Sequence, residues 1–202
     1  FIDVLPTGRV GLMSVVFTPV GVRDILHLPL NELTNRYVSL EEVLGREGKD
    51  MEEQMMNLAS FDERVDGLET FLLGRLQRRN EFENNRMRMV MTRLLQCRGM
   101  FNVEQLASYA CLSRKQFERV FAAYVGLMPK QYLRVIRFLY AVEFRNRMPE
   151  VDLATLAFHT GYYDAAHLAN EIKALTGHTS STLFQLMCFS EDADSIEWFL
   201  GV

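Results

Sequence analysis

Apolar side chains recur every three or four positions over much of the chain, a spacing that places them on one face of an α-helix. Between residues 102 and 129 this pattern occurs twice in close succession. The first apolar face consists of Leu106, Ala107 and Ala110. The second consists of Phe117, Val120, Phe121 and Tyr124. The pattern predicts two short helices that are joined by a tight turn and pack against each other through these faces.

The starts of both predicted helices carry capping-box signals. Asn102 precedes Gln105 by three positions, and Ser113 precedes Gln116 by three positions. A polar row remains on the outer face of the second helix, and it consists of Arg114, Lys115, Gln116, Glu118 and Arg119. Such side chains can contact phosphates and base edges. A helix-turn-helix would present this row to the major groove of DNA.

A second copy of the pattern occupies residues 152–178. The apolar positions of the second helix recur at an offset of 51 residues, as Phe117 and Leu168 or Gly126 and Gly177 show. Asp164 can cap this helix. The first helices of the two units match at an offset of 50, so we expect the second turn to hold one extra residue. A long helix over 129–147, opened by Pro129, is predicted between the units.

Two such units on one connecting helix resemble the DNA-binding half of the AraC family of transcriptional regulators. In the first unit the similar positions are Leu106, Ala107, Ser113, Phe117, Arg119, Phe121 and Gly126. In the second unit they are Gly161, Tyr162, Asp164, His167, Leu168, Lys173 and the run 176–179. The resemblance covers roughly residues 83–188. It implies a bacterial transcription factor whose partners are double-stranded DNA and RNA polymerase.

The resemblance also suggests which residues contact DNA. In this family the base edges are reached from the second, third, fifth and sixth positions after the cap serine, which here are Lys115, Gln116, Glu118 and Arg119. The expected phosphate contacts are Arg114, Arg134 and Arg137. In the second unit the expected positions are Ala166, His167, Asn170 and Lys173. Of the groove-facing residues Ala165, Ala166, His167 and Asn170, only His167 and Asn170 look able to bond, so the first unit should dominate affinity.

The N-terminal third carries weaker patterns. Residues 2–5 and 10–18 are runs rich in Val and Phe around a Pro-Thr-Gly turn, and they predict a small β-hairpin. Helical periodicity follows, and residues 61–79 should form either a homodimer face or part of an intramolecular bundle. The expected fold is therefore mainly α, with two helix-turn-helix subdomains and a long linker helix behind a β-hairpin and a helical connector. The predicted domains are 1–79, a remnant of an effector or dimerisation region, 80–190, the DNA-binding domain, and 191–202, an acidic tail.

The distribution of charge changes the picture that the net charge of −4 gives. Residues 1–74 hold 6 basic and 13 acidic side chains, and residues 151–202 hold 1 and 7. Residues 75–100 hold 7 basic and 2 acidic side chains, and residues 101–150 hold 8 basic and 4 acidic ones. The positive charge is therefore concentrated around the first unit, where it can neutralise phosphates.

Other function classes find little support in the sequence. The three cysteines are widely separated, and the four histidines show no ligand spacing, so neither a metal site nor a cofactor is predicted. No nucleophile elbow or Gly-rich phosphate loop occurs, so we do not expect an enzyme. Apolar runs fall short of the ~20 residues that span a bilayer, and we expect a cytoplasmic protein. The alternative hypothesis is a helical protein-interaction or effector-binding module that has lost operator recognition.

Overall fold

The computed structural model describes residues 13–76 and 81–187, and these are mainly helical. A 3₁₀ turn, Leu30–Glu32, lies between the first two helices. The helices are α1 Pro19–Leu26, α2 Leu40–Leu44, α3 Arg46–Asn57, α4 Phe61–Arg75, α5 Glu81–Gln96, α6 Val103–Tyr109, α7 Arg114–Val125, α8 Pro129–Arg147, α9 Leu153–His159, α10 Ala165–Thr176 and α11 Ser180–Met187.

The predicted β-hairpin is wrong. The described residues contain no β-strand, and residues 13–17 have no regular structure. The end of the expected second strand instead starts a helix, because the Thr18 side chain accepts a hydrogen bond from Gly21 N at 3.2 Å and Pro19 occupies the first helical position. The first expected strand, residues 2–5, lies outside the described residues, as does the acidic tail 191–202.

The two helix-turn-helix units have helices of equal length. Helices α6 and α9 have 7 residues each, and α7 and α10 have 12 residues each. The predicted capping boxes of Asn102 and Ser113 both form, and Asp164 caps α10 by accepting from His167 N at 2.7 Å. Each second helix ends at a glycine in the left-handed region, Gly126 or Gly177. The internal repeat that the sequence predicts is therefore confirmed.

Each unit has its own hydrophobic core. Phe117, Phe121 and Tyr124 of α7 are almost fully buried with residues of α5, α6 and α8. The second core centres on Leu156, Leu168 and Ile172. Truncating a buried Phe to Ala costs about 3–5 kcal/mol, so Phe117 and Phe121 are principal supports of α7. These cores fix the orientation of the two second helices.

Helix α8 passes close to the start of the first unit at Gly99. The φ angle of Gly99 is +70°, a conformation that L side chains rarely adopt. A Cβ at this position would also lie 2.7 Å from the Leu133 carbonyl oxygen and 3.0 Å from Arg137 N. Both the backbone conformation and the close approach of α8 therefore require glycine at residue 99.

The N-terminal segment packs against the first unit. Val20 of α1 belongs to the first core. Asp24 is buried, and its carboxylate accepts a hydrogen bond from Asn84 Nδ2 at 2.5 Å, while Tyr124 Oη donates to Asn84 Oδ1 at 2.6 Å. The guanidinium of Arg23 lies 3.9 Å from the centre of the Tyr124 ring. Burial is the main cause that raises the pKa of Tyr124 to about 12. Helix α1 is thus part of the first subdomain.

Within residues 13–76 and 81–187, no helix combines sufficient length with sufficient apolar character to span a bilayer.

Candidate nucleic-acid interface

The first candidate surface is the outer face of α7. Ser113 Oγ accepts a hydrogen bond from Gln116 N at 3.4 Å, so α7 starts at Arg114 and directs Phe117 into the core. Lys115, Gln116 and Arg119 are then exposed. The same amphipathic pattern that buries one side of the helix therefore brings these predicted DNA contacts to solvent.

Lys115 and Arg119 are the two exposed cations of this face with no ion pair to another described residue. A charged group that has no internal partner can bind a phosphate or a guanine edge without first breaking an intramolecular bond. These two residues therefore have the geometry that the sequence predicts for base contacts. Their contact with DNA stays a prediction.

The other polar residues of α7 already have partners. Gln116 Oε1 accepts from Ser113 N at 3.2 Å and from Ser113 Oγ at 2.8 Å. Arg114 Nε donates to Glu118 at 3.0 Å, and Arg114 also pairs with Glu104 of α6. The hydrogen bond to Glu118 and the charges of Glu104 and Glu118 raise the pKa of Arg114. Gln116 and Glu118 therefore support the unit itself, and their use for DNA stays a prediction.

The expected phosphate contacts on α8 are half-buried and bind inside the protein. Arg134 donates two hydrogen bonds to Glu171 of α10, at 2.8 and 3.1 Å. Arg137 donates to the Gly99 carbonyl oxygen at 2.9 Å, and its guanidinium lies 5.7 Å from the centre of the Tyr162 ring. These contacts connect α8 to both units. Sequence reasoning missed this role because the partners lie 37 or 38 positions away.

The second candidate surface is the outer face of α10. Ala166, His167, Asn170 and Lys173 are all exposed, while Leu168 and Ile172 are buried. His167 contacts the Tyr162 ring edge to face, with ring centres 5.3 Å apart. Tyr163 N donates to His167 Nδ1 at 3.4 Å. The structure therefore exposes every residue predicted here, and its polar groups are few, as the sequence indicates.

A cleft that the sequence did not predict runs beside α7. It has a volume of about 490 Å³ and lies between the N-terminal segment and the C-terminal half of α7. Its walls are formed by Pro29, Asn31, Glu32, Glu118, Arg119, Ala122, Ala123 and Met128. Thr34 Oγ1 donates to the Gly126 carbonyl oxygen next to this cleft. The segment 29–34 therefore borders the candidate interface, although nothing in its local sequence pattern signals this contact.

Among the residues that the structure describes, no group of three or more His, Cys, Asp or Glu side chains could hold a metal ion. The two described cysteines, Cys97 and Cys111, are free thiols.

Comparison with known proteins places the central and C-terminal helices in a family. Residues 106–185 match the family described as "Helix-turn-helix domain". A protein of Haemophilus influenzae named "Uncharacterized HTH-type transcriptional regulator" is 30% identical over 80 residues, which are 40% of this chain. The chain spans 26% of that relative's length. The crystal structure of the DNA-binding domain of AdpA, the global transcriptional factor, in complex with a target DNA matches with a TM-score of 0.45. Its identity is 24%, and the match covers 50% of this chain and 90% of that one.

The family match covers α7 to α10 in full, with the end of α6 before them and the start of α11 after them. It therefore contains both predicted DNA-contacting helices and the helix that connects them. The resemblance inferred from the sequence is confirmed over these residues. Over residues 106–185 the chain is similar to a helix-turn-helix domain, and over 80 residues it is similar to a protein named as a transcriptional regulator.

Proposed function

We propose that the chain is a sequence-specific DNA-binding regulator of transcription that inserts α7 and α10 into the major groove. The observation that carries this proposal is the outer face of α7, on which Lys115 and Arg119 are exposed cations without ion pairs to other described residues. Both cations lie on α7, whose opposite side is anchored by buried Phe117 and Phe121. A rigid helix with free donors is what direct readout of base pairs requires.

The proposed roles follow from donor geometry. Lys115 and Arg119 donate to guanine O6 and N7, and Arg119 does so with two parallel hydrogen bonds. Each good bidentate contact discriminates against a wrong base by about 1–3 kcal/mol. Arg114 sits at the start of α7 and supplies phosphate contact in addition to its pairing with Glu104 and Glu118. The name of the Haemophilus influenzae relative supports a role in transcription.

The test is selection of bound sites from random-sequence duplex DNA with the full chain, followed by affinity measurements on the selected site. We expect Arg119→Ala to weaken binding by about 1–3 kcal/mol and to relax the preference at one base position, because a base contact is lost. Lys115→Ala combined with Arg119→Ala should abolish selective binding. Lys49→Ala is the matched control, since Lys49 is an exposed cation of α3 outside the domain.

Two outcomes would contradict the proposal. One is that no sequence motif is recovered from the random library. The other is that the double variant binds the selected site as well as the wild type. Binding that is absent at low salt, or that does not change with salt, would instead favour a protein-interaction or effector-binding module, since binding to DNA releases counterions.

The proposed regulator also has two protein partners, RNA polymerase and a second copy of the chain. RNA polymerase is the second partner, since a bound regulator must act on it to change transcription. A homodimer forms through α4, whose exposed apolar side chains Phe61 and Leu73 support a further contact. Helix α4 also packs within the chain, as the hydrogen bond from Arg75 Nε to the Ile25 carbonyl oxygen at 3.0 Å shows.

A further inference from the structure

The turns of the two helix-turn-helix units differ by one residue, and the structure identifies which residue is extra. Leu112 N donates to the Ala107 carbonyl oxygen at 3.0 Å in the first unit, and Tyr162 N donates to the Ala157 carbonyl oxygen at 2.9 Å in the second. These bonds are equivalent at an offset of 50. In the first unit the cap residue, Ser113, follows Leu112 immediately. In the second unit Tyr163 stands between Tyr162 and the cap, so Tyr163 is the insertion.

Tyr163 contributes little to the packing of its unit. Its exposed fraction is 92%, whereas that of its neighbour Tyr162 is 6%. Tyr162 fills the second core in the place that Leu112 has beside the first. The stability of the fold therefore gives no account of a large aromatic side chain at residue 163.

The position of Tyr163 associates it with the face of α10 that carries the predicted DNA contacts. It directly precedes the cap Asp164, and its backbone N–H donates to Nδ1 of His167 at 3.4 Å. With Nδ1 accepting this bond, the proton of the neutral imidazole lies on Nε2. His167 is exposed, so its Nε2–H is a donor whose ring is held by the inserted residue. The insertion thus adds a phenol and orients an imidazole.

We propose that Tyr163 and His167 form the DNA contact of the second unit, with the Tyr163 hydroxyl donating to a phosphate oxygen and His167 Nε2–H donating to a base acceptor in the major groove. This inference rests on the proposed function. It accounts for a second helix whose outer face has small side chains at Ala165 and Ala166. The two donors before and within the first turn of α10 take the place of the cations that α7 provides.

A contact made by a neutral donor depends on salt concentration differently from a contact made by a cation. The Tyr163 hydroxyl carries no charge, so it displaces no counterion from the DNA. Loss of the Tyr163 hydroxyl should therefore weaken binding without changing the slope of log affinity against log salt concentration. Loss of a phosphate-neutralising cation, in contrast, reduces that slope by about 1.

The experiment uses the full chain and the DNA site selected by the wild type. Tyr163→Phe removes the hydroxyl alone, and we expect about tenfold weaker binding because a hydrogen bond to a charged oxygen is lost. His167→Ala should weaken binding by about five- to a hundredfold and, on repeated site selection, relax the preference at one base position. The salt slope should stay at the wild-type value in Tyr163→Phe. Tyr37→Phe is the matched control, since Tyr37 is 78% exposed and lies outside both units.

The outcomes separate this inference from the proposed function. If Tyr163→Phe and His167→Ala bind within twofold of the wild type while Lys115→Ala with Arg119→Ala loses binding, the inference is overturned and the proposed function stands. If the wild type selects no site, both are overturned. A lower salt slope in Tyr163→Phe would also overturn the neutral contact. Unchanged thermal midpoints for the variants would show that the exposed side chains act on DNA rather than on folding.

Discussion

At the scale of single residues, the arginines of α7 and α8 have different partners. Arg114 is bound by Glu104 and Glu118, and Arg134 is bound by Glu171, so these guanidinium groups stabilise the fold. Arg119 is exposed and has no ion pair among the described residues. Residue type and local pattern cannot separate these tasks, because the difference depends on which carboxylates the fold brings near.

The cap of α9 provides a prediction at this scale. The Asp152 carboxylate accepts from Thr155 N and Ala154 N at 2.9 Å each and from Thr155 Oγ1 at 2.8 Å. The hydrogen bonds from Thr155 hold the pKa of Asp152 below its ordinary value of 3.8. Because the pKa is lower in the folded state, the stabilisation is present above pH 3.8 and is lost as the pH falls through the lowered value.

We therefore expect Asp152→Ala to lower the thermal midpoint at neutral pH, and the difference from the wild type to shrink as the pH is lowered below 3.8. The measurement is thermal unfolding followed by circular dichroism across this pH range. Asp152→Asn is the matched control, because asparagine caps a helix at any pH. A difference between Asp152→Ala and the wild type that stayed constant with pH would contradict the role of the ionised carboxylate.

At the scale of elements, the sequence was informative wherever the signal is local. The caps Asn102, Ser113 and Asp164 and the linker helix Pro129–Arg147 lie where the pattern predicts them, because capping and periodicity act within a few residues. The hairpin prediction failed because residues 13–18 have β-branched side chains but end in a Thr-Pro helix start. The cap of α9 at Asp152 was missed, although Asp before an apolar run is a local signal.

Helix α8 provides the prediction at the element scale. Its Arg134 binds Glu171 of α10 with two parallel hydrogen bonds, a geometry that gives ion pairs more than their usual effect. A double-mutant cycle of Arg134→Ala and Glu171→Ala, measured by urea unfolding, should give a coupling energy of about 1 kcal/mol. The exposed pair Arg46 and Asp50 of α3 is the control, and its coupling should be no more than about 0.5 kcal/mol. Equal coupling in both pairs would show that Arg134 does not connect the elements.

At the scale of the whole molecule, the packing of the N-terminal segment could not be predicted. The contacts of Asp24 with Asn84 and of Thr34 with Gly126 join residues 60 and 92 positions apart. No periodic pattern encodes such separations. The sequence therefore indicated a domain that begins at residue 80, whereas the first core contains Val20. The predicted domain boundaries stay a prediction, and the packing argues for including α1 in the first subdomain.

The proposed homodimer provides the prediction at this scale. Leu73 on α4 is 68% exposed, and Phe61 on the same helix is 61% exposed. If these side chains meet a second copy, sedimentation equilibrium should show a dimer for the wild type and a monomer for Leu73→Glu, since the substitution would bury an unpaired charge. Met56→Glu on α3 is the control, because Met56 is 84% exposed and lies on another helix. If the wild type is a monomer at every concentration measured, the homodimer is contradicted and the intramolecular bundle is supported.

The packing of residues 20–34 on α7 affects how the helix-turn-helix units can be isolated as a fragment. A fragment that begins at residue 80 would lose the hydrogen bond between Asn84 and Asp24 and would expose the face of the Tyr124 ring that Arg23 covers. It would also lose Leu30, which packs so closely on Gly126 that a Cβ there would lie 3.2 Å from the Leu30 carbonyl oxygen. We therefore expect a stable fragment to include residues 20–34, which the family match leaves out. Shorter fragments should be less stable even in the absence of DNA.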